Sequence, residues 1–287
     1  MPERSGPEPN ARTTRLRNDQ AAIDRFRSIV CGFYADSRRS MPWRDTVDPY
    51  RIMVSEFMLQ QTQVSRVEPR YRSFLNAFPT IHHLASASLQ DVLARWQGLG
   101  YNRRARFLRD AAAQIVRAHD GIVPFEPSEL RALPGVGAYT ASAIAAFAYE
   151  RPVVVIETNI RRVFLHHFFA DRTDVDDRQI EPLVAATLPV DNVRHWYYAL
   201  MDYGAMLGRL GPNANRRSRH YTRQSPFAGS VREVRGRIIA VLSARGSITR
   251  AALERELDPT DTRLAPALEG LERDGMIVVE SNRVTLR

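Results

Sequence analysis

Two acidic residues stand in sequence settings that suit acid–base chemistry. Glu56 lies among apolar residues in segment 55–63, where burial of a carboxyl raises its pKa and lets it keep a proton at neutral pH. Glu157 ends the apolar run 153–156 and precedes a helical segment, a position that presents a carboxylate into a cleft. One protonated and one ionised carboxyl are what cleavage of a glycosidic bond through an oxocarbenium-like state requires. Taken singly, each residue also fits a capped or ion-paired structural acid.

A turn with two glycines is the second feature that could do chemistry. Residues 133–140 read Leu-Pro-Gly-Val-Gly-Ala-Tyr-Thr and separate two helical patterns, which predicts helix, tight turn, helix. Gly135 and Gly137 allow backbone conformations closed to other residues, and Tyr139 follows them. Amide groups at such a turn and at the next helix start bind a DNA phosphate without base preference. A loop between two core helices, with a glycine ending the first, is the alternative.

The charge of the chain favours a polyanionic partner. Its 287 residues, enough for about two domains, carry a net charge of +9, which suits nucleic acid first. All 41 basic residues are arginine, so no side-chain amine is present to form a Schiff base with a sugar aldehyde. A lyase step through an imine is therefore not expected from any side chain.

Cysteine and histidine usage argues against a metal site. One cysteine, Cys31, rules out an internal disulfide and a four-cysteine zinc or iron–sulfur site. Its apolar-periodic surroundings predict a buried structural thiol. His166, His167 and His195 lack acidic partners at ligand spacing and are predicted to be structural. No signal-peptide pattern or membrane-length apolar run occurs, which predicts a cytoplasmic, nucleoid-associated protein.

The pattern along the chain predicts a helical body with a small C-terminal module. Residues 1–20 are polar and predict a disordered basic tail. The residue pattern from 21 to about 229 then predicts helices, with helix starts expected at Thr80, Ser88 and Pro127. In 230–287, three helices and a hairpin formed by 276–280 and 283–287 are typical of a winged helix. The fold class is thus all-α with an α+β winged-helix-like module, and a small packing module is the alternative for 230–287.

An arginine-dense loop joins the body to this module. Arg216, Arg217 and Arg219 lie within residues 205–229, together with His220 and Tyr221. A solvated linker and a phosphate-contacting loop are both compatible with this composition.

Read together, these segments resemble a known family. The run Leu133-Pro-Gly-Val-Gly137, followed by the acidic residue Glu157, resembles the helix-hairpin-helix DNA glycosylase superfamily. Within it, segments between about 40 and 207 look, in order and spacing, like the adenine glycosylases of the MutY family. The segments are Pro42-Trp-Arg44, Tyr50, Ser55-Glu-Phe-Met-Leu-Gln-Gln-Thr-Gln63, Gly98-Leu-Gly-Tyr101, Arg104-Ala-Arg106, Gly135-Val-Gly-Ala-Tyr139 and Met201-Asp-Tyr-Gly-Ala205.

The resemblance implies a two-domain fold with DNA in the cleft: a barrel domain at about 46–150, and a second helical domain from 21–45 plus 151–229. It also implies that Glu56 is the general acid, that Glu157 stands opposite the developing sugar cation, and that Asn159 orients these groups. Tyr139 would lie near the reacting sugar, and Gln61 would wedge into the stack left by the flipped base. Further DNA contacts are expected at Thr62, Tyr101, Gly135, Gly137, Arg44, Arg104, Arg216, Arg217 and Arg219.

Several positions depart from the family pattern. The family aspartate is Glu157 here, one methylene longer, and catalytic groups tolerate little displacement. The four cluster-binding cysteines are absent, which predicts a loop free of an iron–sulfur cluster. Tyr101 is followed by Asn102 where typical members have a second tyrosine, and the C-terminal module is too short for a Nudix-like domain. A monovalent cation at the hairpin carbonyls fits the superfamily.

The expected function is a monofunctional DNA glycosylase of base excision repair. It would act as a monomer on double-stranded DNA and remove a mispaired or damaged base, first of all adenine opposite 8-oxoguanine or guanine. Glycosylases that remove thymine or uracil opposite guanine share the hairpin tyrosine and are one alternative. A DNA-lesion-binding protein without activity is another, favoured by the departure at Glu157. A transcription regulator led by the winged-helix module is disfavoured by the glycosylase-like body.

Overall fold

The computed structural model describes residues 19–223 and 226–287, so residues 1–18 of the predicted tail lie outside the described residues. These parts are mostly helical, with one small antiparallel sheet near the C-terminus, which confirms the predicted fold class. Within them, no helix is both long enough and apolar enough to span a bilayer. The helices in chain order are α1 Gln20–Ser37, α2 Pro49–Leu59, α3 Val64–Ala77, α4 Ile81–Ser86, α5 Leu89–Trp96, α6 Arg103–Ala118, α7 Pro127–Arg131, α8 Ala138–Tyr149, α9 Thr158–Phe168, α10 Asp177–Thr187, α11 Val193–Leu210, α12 Val231–Arg245, α13 Arg250–Leu257 and α14 Leu264–Arg273.

Local side-chain caps set several of these helix starts. Thr80 accepts the amide of His83 at α4, and Ser88 accepts the amide of Asp91 at α5. Pro127 begins α7 at a position where a missing N–H costs nothing. All three helix starts were predicted from the sequence, because a cap is a local interaction.

The chain divides into two units. One comprises the described part of Met1–Ser40 together with Ser142–Arg223, and the other comprises Met41–Ala141 with the described part of Gln224–Arg287. The predicted domains had boundaries at about 45, 150 and 229, and they set the C-terminal module apart. In the structure, this module belongs to the same unit as the barrel segment.

The first unit is built on α1, α9, α10 and α11. Phe26 of α1 packs against the rings of Phe164 and Trp196, with ring centroids 5.5 and 5.9 Å apart. Arg39, just after α1, donates to the buried carboxylate of Asp202, with its Nε 2.7 Å from Oδ1. The N-terminal helix is therefore fastened to α11 by an apolar cluster and by one ion pair.

Cys31 of α1 is exposed, so the predicted buried thiol is wrong. The buried stripe of this helix runs through Ile23, Phe26, Val30 and Tyr34. Cys31 follows Val30 by one residue and is rotated by a full helical step from that stripe. Its apolar neighbours in sequence therefore do not surround it in space.

The barrel segment of the second unit wraps α2 to α7 around an apolar interior. Its helix α2 is buried on nearly every side, including residues Ile52 to Met58. Phe74 of α3 packs against Trp96 of α5, with ring centroids 5.9 Å apart. Because α2 is covered all round, any polar side chain on it is desolvated unless it faces an opening.

The C-terminal module combines α12, α13 and α14 with three short strands, β1 Ser247–Thr249, β2 Ile277–Glu280 and β3 Arg283–Leu286. Their order is β1-β3-β2, and both pairings are antiparallel, with Val284 opposite Ile248 and Val279. The winged-helix-like prediction is confirmed, and β1 adds a third strand to the expected hairpin. Thr249 also caps α13, because its side chain accepts the amide of Ala252.

This module docks on α5 and α6 of the barrel through polar contacts. Gln90 Nε2 donates to the Ser243 carbonyl at 3.0 Å. The Asp274 carboxylate lies 3.5 Å from Arg103 and also pairs with Arg235 of α12. These contacts fix α12 against the barrel.

Candidate active site

Glu56 lies near the C-terminal end of α2, and its side chain is only 4% exposed. Asp48 starts this helix by accepting the amides of Tyr50 and Arg51. The burial of Glu56 was predicted from its apolar neighbours in the sequence. The structure thus places a carboxyl group where water has little access.

Arg104, for which a DNA contact is predicted, caps the carbonyls at the end of α2. Its guanidinium is buried, and it donates to the carbonyls of Phe57, Met58 and Gln60 at 2.8, 3.0 and 2.5 Å. Burial lowers the pKa of Arg104 to about 10. A side chain that satisfies helix-end carbonyls inside the protein is withheld from phosphates, so Arg104 holds the turn after Glu56.

The turn after α2 presents Gln61 to solvent. Gln61 is exposed and has a φ of +53°, which is uncommon for a residue with a side chain. Thr62 is half-buried, and its hydroxyl accepts Arg104 Nη2 at 2.9 Å. Arg104 also bonds the Gly100 carbonyl at 3.1 Å, just before Tyr101 with a φ of +47°. One buried cation therefore braces the two turns that carry Gln61 and Tyr101.

The two glycines of the hairpin turn differ in backbone conformation and in the space available for a side chain. Gly135 has a φ of +74°, and a Cβ built on it would lie 2.6 Å from Phe107 Cβ. Gly137 has an ordinary φ and nothing within 4 Å of a built Cβ. Of the two glycines, only Gly135 uses the conformational freedom that both allow. The bare, exposed backbone of Gly137 instead leaves room for a ligand at the start of α8.

We expect these two glycines to respond differently to alanine. Gly135→Ala combines a left-handed φ with a collision and should lower the free energy of unfolding by about 2–4 kcal/mol. Gly137→Ala should leave it within about 1 kcal/mol of the parent. Chemical denaturation of both variants measures the difference. Equal losses would show that the turn differs from the one described.

A hydrogen bond joins the Glu56 helix to the hairpin. Gln60 Nε2 donates to the Thr140 hydroxyl at 3.1 Å. Thr140 is buried, and Tyr139 beside it is half-buried. The second unit therefore brings Glu56, the turn at Gln61 and the hairpin with Tyr139 into one connected frame.

Glu157 is the N-cap of α9 in the first unit. Its Oε1 accepts the amides of Asn159 and Ile160 at 2.6 and 2.8 Å, and its Oε2 accepts Asn159 Nδ2 at 3.2 Å. Burial raises the pKa of the half-buried Glu157 carboxyl above its ordinary value, and the two amide donors partly oppose this. The longer side chain reaches the helix start that shorter carboxylates commonly cap.

Asn159 is held in turn by α11. Arg162 Nη1 donates to Asn159 Oδ1 at 2.7 Å and to the Gly204 carbonyl at 2.8 Å. A Cβ built on Gly204 would collide with the Asn159 carbonyl and lie 2.7 Å from its carbon. Helices α9 and α11 thus cross at a point where only glycine fits, directly beneath Asn159.

The segment that leads to Glu157 is extended and unpaired with any strand in the described residues. The buried Tyr197 hydroxyl of α11 donates to the Val153 carbonyl at 2.6 Å and accepts the Val155 amide at 3.0 Å. Within run 153–156, Val155 is buried, and its neighbours are half-buried. Tyr197 thereby sets the path of the chain into Glu157.

The arginine loop lies against the start of α9. Buried Asn215 donates from Nδ2 to the Thr158 carbonyl at 3.0 Å. Arg219, for which a DNA contact is predicted, pairs with Asp174 at 2.7 Å and with Asp176 at 3.1 Å in this structure. Arg216 is exposed, and Arg217 is half-buried. Of the predicted phosphate contacts in this loop, Arg216 has the setting that suits the role.

Arg44 and the histidines complete the predicted set. Arg44 is half-buried in the 3-10 turn Pro42–Arg44, beside Trp43, which packs on Tyr71 in the core. His167 is packed against aromatic rings, and burial lowers its pKa to about 4. In the described parts of the chain, no three His, Cys, Asp or Glu side chains group as metal ligands do.

Comparison with known proteins shows which family the chain belongs to. Residues 54–185 match the model of the HhH-GPD superfamily base excision DNA repair protein. The adenine DNA glycosylase of Mycolicibacterium smegmatis is 38% identical over 86% of this chain and 91% of its own length. That of Mycobacterium tuberculosis is 36% identical over 86% and 88%. The chain belongs to the HhH-GPD superfamily and, within it, to the adenine DNA glycosylases.

Solved structures show the same fold for this glycosylase. A thermostable thymine-DNA glycosylase aligns with a TM-score of 0.60 and 23% identity over 71% of this chain and 94% of that one. A trapped endonuclease III–DNA covalent intermediate aligns with a TM-score of 0.52 and 20% identity over 74% and 92%. At these identities, the likeness concerns the fold alone.

Four positioning residues of the glycosylase escaped sequence reasoning. Each donates to a partner far away in the chain: Gln60 to Thr140, Arg162 to Gly204, Tyr197 to Val153 and Arg232 to Tyr101. Gln60 and Arg162 stood next to residues that were singled out, which was the one signal available. Nothing local marked Tyr197 or Arg232, because their partners are brought near only by folding.

Proposed function

We infer that the protein is a monofunctional DNA glycosylase that hydrolyses the N-glycosidic bond of adenine mispaired with 8-oxoguanine or guanine. The near full-length similarity to adenine DNA glycosylases carries the inference. The buried Glu56 and the hydrogen-bonded pair Glu157 and Asn159 support it chemically. It acts as a monomer on double-stranded DNA in the cytoplasm, at the nucleoid, with the target base rotated out of the stack.

Glu56 is the general acid in this proposal. A carboxyl in an apolar interior is the group best able to carry a proton at neutral pH. It donates that proton to a ring nitrogen of adenine as the bond to C1′ breaks, so the bonding electrons leave with a neutral base. The sugar is left as an oxocarbenium-like cation.

Glu157 stabilises that cation, and Asn159 fixes the carboxylate through the hydrogen bond to its Oε2. Water then adds to C1′ and loses a proton to the Glu56 carboxylate, which yields an intact abasic site and restores the acid. The hairpin at Gly135 and Gly137 supplies amide donors for a backbone phosphate, and Tyr139 borders the sugar. Gln61 fills the gap in the stack, while Arg44, Arg216 and Arg217 neutralise phosphates.

The raised pKa of Glu157 predicts the pH profile. This role needs the ionised form, which is lost as pH falls through the folded-state pKa, so the acidic limb should lie at higher pH than an ordinary glutamate gives. Single-turnover excision rates measured across pH test this. The Glu157→Gln variant should excise the base slowly, and its pH–rate profile should lack the acidic limb. Persistence of that limb in the variant would assign it to another group.

The absence of lysine predicts hydrolysis without strand cleavage. Borohydride added during turnover should trap no covalent protein–DNA adduct, because no side-chain amine can form the imine. The product strand should break only after alkali treatment. A borohydride-stable adduct in high yield would contradict the monofunctional assignment.

Of the two cofactors that the family implies, the residues of this chain suit the monovalent cation and do not suit the iron–sulfur cluster. An iron–sulfur cluster requires four thiolates, and the single Cys31 lies exposed on α1, so the residues do not fit one. A monovalent cation at the hairpin does fit. The Leu133 and Gly137 carbonyls accept the amides of Val136 and Ala141, and a carbonyl oxygen keeps a second lone pair. Such an ion would add positive charge where the phosphate binds.

A lesion-binding protein without activity is the second candidate. The observation in its favour is Glu157, whose two oxygens both bond the start of its own helix within 3.2 Å. A screen over duplexes with A:8-oxoguanine, A:G, T:G, U:G, hypoxanthine and alkylated bases separates the candidates. Excision on A:8-oxoguanine or A:G supports adenine as the target. Tight binding without excision on any duplex supports the second candidate.

A further inference from the structure

Two arginines of α3 converge on one glycine beside the turn that carries Gln61. Arg66 Nη2 donates to the Gly98 carbonyl, and the Arg70 guanidinium lies against the open face of the same glycine. A Cβ built on Gly98 would lie 3.4 Å from Arg70 Nη2 and 3.6 Å from its Nε. Because Arg66 and Arg70 are four residues apart, their side chains share one face of the helix. An exposed surface of the barrel segment therefore carries two guanidinium groups close together.

The charges of this pair are not neutralised within the described residues. Neither Arg66 nor Arg70 forms an ion pair with a carboxylate there, and Glu68, two residues from each, lies on a different face of the helix. Burial lowers the pKa of Arg104 beneath the turn to about 10, and the nearby charge of Arg66 contributes to this shift. Like charges four residues apart destabilise a helix. An anion bound between the two guanidinium groups would relieve that repulsion.

The backbone around the pair offers further hydrogen-bond donors. No side chain caps α3 at Gln63, which leaves amides of the first turn to outside acceptors. Gly98 and Gly100 have φ values of +89° and +70°, and among the described residues their amides donate to no backbone carbonyl. Guanidinium groups beside exposed amides are the donors that phosphate oxygens accept in proteins.

We propose that Arg66 and Arg70 bind a backbone phosphate of duplex DNA, at a site separate from the hairpin at Gly135 and Gly137. The proposal rests on the inferred action on double-stranded DNA. Gln61 belongs to the turn just before α3, so the backbone that flanks its gap in the stack passes close to Arg66. Arg66 keeps Nε and Nη1 as donors, and Arg70 makes no hydrogen bond within the described residues. The site adds affinity without base preference, because a phosphodiester carries no sequence information.

DNA binding measured over a range of salt concentrations tests this site. Arg70→Gln in the full-length protein should weaken binding by about three- to tenfold and lower the slope of log affinity against log salt by about one. The loss should be equal on a duplex with an A:8-oxoguanine mispair and on a fully paired duplex, because the contact is to the backbone. Arg72→Gln is the matched control, since Arg72 is exposed on the same helix and does not share this face. It should leave affinity and slope nearly unchanged.

Two further measurements separate phosphate binding from a structural role. Arg70→Gln should unfold at the parental temperature or slightly above it, because the substitution removes like-charge repulsion. In a set of duplexes that each carry one uncharged methylphosphonate linkage, one position should weaken binding by the parent and leave binding by Arg70→Gln unchanged. A marked fall in thermal stability, an unchanged salt slope, or equal sensitivity of both proteins at every linkage overturns the proposal.

Inorganic phosphate distinguishes the DNA backbone from a free anion as the source of the phosphate group. Added at constant ionic strength, it should not raise the unfolding temperature of the parent. A rise in the parent, with unchanged DNA affinity in Arg70→Gln, would assign the site to a free anion and overturn the proposal. Failure of the glycosylase function would show instead as absent excision by the parent on every mispair, while the salt slope and the methylphosphonate pattern still decide the role of Arg66 and Arg70.

Discussion

Glu56→Gln should lower the single-turnover rate of base excision by about 10²–10⁴-fold, the range that a general acid contributes. The amide has nearly the same shape as the buried carboxyl and cannot donate an acidic proton to the leaving base. The variant should bind the mispaired duplex as tightly as the parent, because no phosphate contact is removed. Rapid-quench excision assays and fluorescence anisotropy measure the two quantities.

The matched control is Gln61→Ala at the exposed turn that follows the same helix. Removal of a wedge side chain should weaken binding to the mispaired duplex and lower the rate by less than Glu56→Gln does. If the roles are assigned correctly, Glu56→Gln therefore loses mainly its excision rate, and Gln61→Ala loses mainly its affinity for the mispaired duplex. Excision at the parental rate by Glu56→Gln would remove Glu56 from the mechanism.

Gly204→Ala should destabilise the protein by roughly 3 kcal/mol, because overpacking at a tight helix crossing cannot be relieved by a side-chain rotation. The added methyl would meet the backbone of Asn159, which cannot move without carrying the start of α9 and Glu157 with it. Excision should fall by about 100-fold, the effect of a displacement near 1 Å at a catalytic group. Thermal unfolding and excision kinetics in the stable temperature range measure both.

Gly32→Ala provides the control for this substitution. Gly32 lies within α1 with nothing inside 4 Å of a built Cβ, so alanine should stabilise the helix by about 0.5–1 kcal/mol and leave excision unchanged. A Gly204→Ala protein with parental stability and rate would show that α9 and α11 do not cross as described.

Local sequence chemistry predicted much of the fold. Thr80, Ser88 and Thr249 cap helices because a hydroxyl bonds an amide two or three residues ahead, which the chain guarantees without any tertiary contact. The burial of Glu56 followed for a similar reason, since its neighbours Phe57 and Met58 on α2 are apolar and buried. Periodicity failed at Cys31, because one step around a helix separates a buried face from an exposed one.

Site roles for arginine were the least predictable. Arg104, Arg219 and Arg232 all stand in segments that suggested phosphate contact or no role at all. The structure makes Arg104 a buried brace for helix-end carbonyls and pairs Arg219 with two aspartates. A long cationic side chain reaches whichever acceptor folding brings near, so its partner cannot be inferred from its own neighbours.

The residue types by themselves determined which reactions are open to this protein: arginine without lysine excludes a side-chain imine, one cysteine excludes a four-thiolate cluster, and the hairpin octet predicts a phosphate cradle. Only the tertiary structure decided that Glu157 caps its own helix, that Gly204 lets α11 approach Asn159, and that Arg232 of the C-terminal module bonds Tyr101 of the barrel segment. The physical reason is the separation along the chain over which each kind of interaction acts. Composition and hydrogen bonds between near neighbours follow directly from the sequence, whereas side-chain contacts between elements exist only once packing has fixed their distances.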